Sequence, residues 1–148
     1  MTWLNKLFGA SREEGRVDYY EEGLELLNDG KFHEALTSFR LALKEAPGDP
    51  VVLQQIAISY TRIGMTEEAA KTYRHVLKSK PDAAGAHYGL AFLYLRAAQH
   101  EDALRHLRAF LENAPNDDLA EEHVRHARAT MAQLTGELDL RGGDSHGR

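Results

Sequence analysis

Small and large apolar residues return along this chain every 34 positions. Ala35, Ala69 and Ala103 sit among similar neighbours, in Glu34-Ala35-Leu36, Glu68-Ala69-Ala70 and Asp102-Ala103-Leu104. Four residues after each alanine stands a large apolar group: Phe39, Tyr73 or Leu107. Upstream, Gly23, Ala57 and Ala91 keep the same interval, and three residues on so do Leu26, Tyr60 and Tyr94. Gly30, Gly64 and Ala98 mark turns in phase with them, and Pro47, Pro81 and Pro115 close each unit. A period of this length is the mark of stacked supersecondary units, none of which can bury its apolar face alone.

Within each period the spacing predicts two helices, near 17–29, 32–46, 50–63, 67–79, 83–97 and 100–113. Small residues let antiparallel helices approach closely while the aromatics fill the space between them. The prolines stop each second helix, because proline cannot continue one. Asp49 before Pro50 reads as an N-cap with a first-turn proline, and Thr66 as the N-cap before Glu67 and Glu68. A seventh helix is predicted over 118–135, with Leu119, Val124, Ala127, Met131 and Leu134 on its apolar face and Glu121, Glu122, Arg125 and Arg128 elsewhere. Gly136 is the expected stop, and residues 137–148 are Gly-rich and polar, the composition of a disordered tail.

This order of positions resembles the tetratricopeptide repeat, and the resemblance covers Arg16 to Asp117 three times in phase. Two places depart from the family's pattern: Glu22 stands for an apolar residue in the first repeat, and His87 for the opening aromatic in the third. The resemblance implies an all-α, right-handed α-solenoid of three helix–turn–helix repeats (16–49, 50–83 and 84–117) with a C-terminal capping helix over 118–136. Residues 1–15 are then a short amphipathic N-terminal segment and 137–148 the tail. A cap is needed because the last repeat would otherwise leave its stacking surface in water.

The resemblance also implies that the first helix of each repeat lines a concave groove. One stripe on those helices runs Tyr20, Leu24 and Leu27, then Gln54, Ile58 and Thr61, then Tyr88, Phe92 and Leu95, at i, i+4, i+7. Facing a groove, it forms an apolar patch of the kind that marks a protein-interaction site. Arg62 and Arg96, at equivalent places, would orient an acidic group of the partner. The expected partner-binding groove is therefore Tyr20, Leu24, Gln54, Ile58, Arg62, Tyr88, Phe92 and Arg96, receiving an amphipathic helix or extended peptide. The competing reading is that Leu24, Ile58 and Phe92 pack between adjacent inner helices, with the arginines solvated. Gly85 and Gly89 would deepen the groove in the third repeat and allow close backbone approach, and their cost within a helix points to a packing or binding reason. Some members of the family clamp a chaperone's terminal carboxylate with lysine, asparagine and arginine. Tyr20, Leu24, Gln55, Gly85 and Gly89 stand at those places here, so that ligand is not expected.

Composition narrows the choice of partner. A net charge of −5 and a pI near 5.9 argue against a broad electrostatic grip on nucleic acid, and one RGG at 141–143 does not restore it. The absence of cysteine removes disulfides, thiol catalysis and thiolate zinc sites. Phosphate-loop, HExxH and GxSxG motifs are missing, and adjacent carboxylates such as Glu67 and Glu68 point apart on a helix. Of the eight histidines, His123 and His126 lie i, i+3 near His100 and His106, short of the converging set that zinc needs. Neither enzyme activity, a cofactor nor a metal is expected. Trp3 with Leu7, and Leu4 with Phe8, form i, i+4 pairs on a candidate docking segment that is too short to fold alone, so it needs a surface: the first repeat, which it would cap, a membrane interface, a partner protein, or the groove of this or a neighbouring copy. With one lysine it makes a poor membrane anchor, and no run reaches the roughly 20 apolar residues of a spanning helix. A cytoplasmic, non-enzymatic protein-interaction adaptor or scaffold is the leading expectation. The alternative is a homo-oligomeric scaffold in which residues 1–10 of one copy dock in the groove of another.

Overall fold

Asp18 opens the first helix of the repeats: its Oδ1 accepts the Glu21 backbone N–H at 3.1 Å, and Glu21 and Glu22 favour the positive end of the helix. A computed structural model describes the backbone of residues 17–146, and side chains from 17 to 136. Among these, seven helices follow one another: α1 (Tyr19–Asn28), α2 (Phe32–Glu45), α3 (Pro50–Ile63), α4 (Thr66–Ser79), α5 (Ala84–Arg96), α6 (His100–Asn113) and α7 (Asp118–His146). Asp49 caps α3 as expected, its Oδ1 accepting the Val51 N–H at 2.9 Å with Pro50 in the first turn.

The turns inside the repeats share one geometry. Gly30, Gly64 and Ala98 have φ of 78°, 98° and 58°, and the residues after them, Lys31, Met65 and Gln99, begin the next helix without a side-chain cap. The Lys31 N–H reaches the Leu26 carbonyl at 2.8 Å and the Gln99 N–H reaches the Tyr94 carbonyl at 2.9 Å, the closing bond of a Schellman motif. That bond fixes where the next helix starts. In the second repeat the Gly64 N–H reaches the Tyr60 carbonyl at 3.0 Å, and Thr66 is the first residue of α4, not the N-cap that its side chain had suggested.

The chain divides into two compact units, one ending at Gly64 and one beginning at Met65. In the first, Ala35, Leu36, Phe39 and Ala42 of α2 meet Val52 and Ile56 of α3, with Tyr19, Tyr20, Leu24 and Leu26 of α1 packed against them. In the second, Ala91, Ala103, Leu104, Leu107 and Phe110 of α5 and α6 are joined by Ala127 and Leu134 of α7. Ala35, Ala69 and Ala103 are fully buried, as close helix approach requires.

A further expectation is corrected. Helix α7 continues through Gly136 to His146. Gly136 does not take the left-handed conformation that would end a helix, so it costs only about 1 kcal/mol relative to alanine and fails as a stop. At Gly89 the packing reason holds. A Cβ there would run into the Tyr73 ring of α4, so the glycine serves helix packing, while Gly85 is exposed in the first turn of α5.

Candidate functional site

The inner-helix stripe is half-buried wherever it is described. In the first unit, Tyr20, Leu24, Gln54 and Ile58 are all intermediate in exposure, and Tyr20 and Leu24 rest on the core. The Tyr20 ring sits 5.9 Å from that of Phe39. Arg62 is exposed, with its guanidinium 4.5 Å over the Phe32 ring. This contact holds the charged end in place without consuming it in an ion pair. Arg62 then closes a cleft of about 340 Å³ with Leu24, Leu27, Asn28 and Gly30. Two leucines thus stand beside a positioned cation.

In the second unit the stripe is shared with α7. Tyr88 lies 4.8 Å from Phe92, 4.9 Å from Phe110 and 4.9 Å from His123, measured between ring centres. Its hydroxyl is 3.0 Å from His126 Nδ1. The His126 ring stacks on Phe92 at 4.8 Å, only 6° from parallel. Burial, with the Glu122 carboxylate second, raises the Tyr88 phenol above its ordinary value, so it stays a neutral hydroxyl. Tyr88 and Phe92 therefore keep one side on α7, while Arg96 at the end of α5 is exposed.

Trp3, Leu4, Leu7 and Phe8 lie outside the described residues. Among the described residues no group of three or more His, Asp or Glu is arranged to hold a metal, and no helix is long and apolar enough to cross a membrane.

Two features escaped the sequence reading. Arg40 donates to the Tyr60 hydroxyl and lies over its ring, and Arg74 donates to the Tyr94 hydroxyl at 3.1 Å. Each arginine leaves an outer helix to bind the tyrosine of the next inner helix. The 34-residue spacing of both partners carried the signal. The second feature is a contact between His87 and His106, two residues that the period does not repeat.

The model of the tetratricopeptide repeat family matches residues 26–85 and 64–134. No curated protein matches the chain. Among solved structures, the type III secretion chaperone SycD of Yersinia enterocolitica, in complex with a peptide of the translocator YopD, is 13% identical. The match covers 80% of this chain and 91% of that one, with a TM-score of 0.75. The Sgt2 TPR domain of Aspergillus fumigatus is 19% identical, with 79% of each chain covered and a TM-score of 0.66. The TPR2B domain of yeast Sti1, in complex with pHsp70, is 16% identical over 81% of this chain and 95% of that one, with a TM-score of 0.71. At these identities the likeness speaks for the fold, the all-α tetratricopeptide solenoid.

Proposed function

The chain belongs to the tetratricopeptide repeat family, and on that premise we propose that it is a non-enzymatic adaptor binding a peptide or helix of a partner protein along its inner helices. The observation that carries this reading is the cleft of the first unit, where the Leu24 and Leu27 side chains lie beside Arg62. Such a cleft takes one apolar side chain of a partner and, next to it, one carboxylate. Tyr20, Gln54 and Ile58 extend the same face, and Tyr88, Phe92 and Arg96 are its counterpart in the second unit. The SycD and Sti1 structures contain peptide or protein partners, which supports a ligand of that class. The chaperone-tail clamp has no counterpart at Tyr20, Leu24, Gln55, Gly85 and Gly89, so the favoured ligand is apolar and internal to its chain.

A displayed library of random 16-residue peptides, selected on the full chain, tests this reading. Selected peptides should carry apolar anchors at helical or alternating spacing with an acidic residue beside them. Leu24→Glu with Ile58→Glu should weaken them by about tenfold or more, equivalent to ~1.4 kcal/mol. Arg62→Ala should weaken only those with the acidic residue. Binders indifferent to all three changes would place the site elsewhere.

A further inference from the structure

Where the third repeat carries His87 the first two carry Tyr19 and Leu53, and where it carries His106 they carry Ser38 and Thr72. Only the third repeat therefore sets two imidazoles against each other, between α5 and α6. His87 is 9% exposed, and its Nε2 lies 2.8 Å from the Pro81 carbonyl oxygen. A carbonyl only accepts, so His87 Nε2 carries hydrogen and donates to it. The two Nδ1 atoms stand 3.0 Å apart, room for one hydrogen between them. In the neutral pair, His87 Nδ1 is the acceptor and His106 Nδ1 the donor. The Tyr94 ring stacks on His106, 5.5 Å away.

Proton counting sets the limit. A first added proton leaves hydrogen on both Nε2 atoms and one between the Nδ1 atoms, with a single charge shared by the pair. A second must go to the remaining Nδ1 lone pair, placing N–H against N–H at hydrogen-bond distance, so the contact parts. The charged groups around His106 oppose uptake: His87 on α5, Arg105 on α6 and Arg74 on α4 all disfavour a cation there. Asp102 alone favours one, and it is already engaged by Arg105.

We propose that His87 and His106 form an acid-sensitive joint of the second unit, closed at neutral pH and opened between α5 and α6 by proton uptake in mild acid. Burial first, then the His87 and Arg105 charges, lower the His106 value from 6.5 to about 4. The folded value lies below the unfolded one, so the joint's contribution is complete above pH 6.5. It is lost progressively as pH falls from there towards 4. The joint is independent of the adaptor reading.

Ring-proton NMR titration of the full chain, with amide exchange on α5 and α6, tests it. His106 should titrate at least about one pH unit below 6.5, the ordinary imidazole value. After correction for intrinsic rates, exchange in α5 and α6 should quicken by about tenfold or more between pH 7 and pH 5. His87→Leu with His106→Thr copies the pair found in the second repeat, and its exchange in α5 and α6 should stay level over that range. The proposal is overturned if His106 titrates at the ordinary imidazole value. It is equally overturned if the wild type and the double variant respond to acid alike. Should the variant fail to fold, the wild-type ring titration decides alone.

Discussion

The Phe39 ring of α2 occupies the space beside Gly23 of α1, so that a Cβ on residue 23 would come within 2.5 Å of it. In an open helix, alanine would be the better residue by about 1 kcal/mol. Here the clash reverses the sign. Gly23→Ala is expected to destabilise the chain by about 1–3 kcal/mol, as overpacking does. Urea unfolding followed by circular dichroism would measure it, and an unchanged or raised midpoint would show that Phe39 can move aside.

Ala98 presents the opposite case. It is the one non-glycine among the described residues with positive φ, 58°, at the turn where the other repeats carry Gly30 and Gly64. Left-handed backbone costs a residue with a Cβ roughly 1 kcal/mol or more. Ala98→Gly should therefore raise stability by about 0.5–1 kcal/mol, after the loss from glycine's freer unfolded chain. The same unfolding measurement reads it, and a lower midpoint would refute it.

Phe92 and Tyr88 hold α7 in place as well as belonging to the proposed groove. Phe92→Ala removes the ring on which His126 stacks and should cost about 1–3 kcal/mol, given that the side chain is only half-buried. Tyr88→Phe removes only the hydroxyl beside His126 Nδ1 and should cost about 0.5–1.5 kcal/mol. Amide exchange along α7 should quicken in both, more in the first. Unchanged exchange would mean that Ala127 and Leu134 hold the helix by themselves.

Light scattering separates an adaptor from a self-assembling scaffold. The adaptor reading expects the full chain to keep a monomer's mass across a wide concentration range. Assembly lost on removing residues 1–10 would instead make Trp3, Leu4, Leu7 and Phe8 the assembly element.

The 34-residue period by itself determined the six helices of the repeats, their order and the fold family. Each repeat has to bury the same face, so one pattern recurs and errs only where a helix starts or stops. Glycine was the least legible residue. Nothing local distinguishes Gly89, which must clear Tyr73, from Gly136, which a helix runs straight through, because the difference lies in what another helix brings near. Leu24 beside Arg62, and Tyr88 and Phe92 beneath the α7 histidines, likewise depend on neighbours distant in sequence. The His87–His106 contact is the plainest instance. Periodicity reports what repeats, and a pair present in one repeat alone becomes visible only when packing sets its two nitrogens 3.0 Å apart.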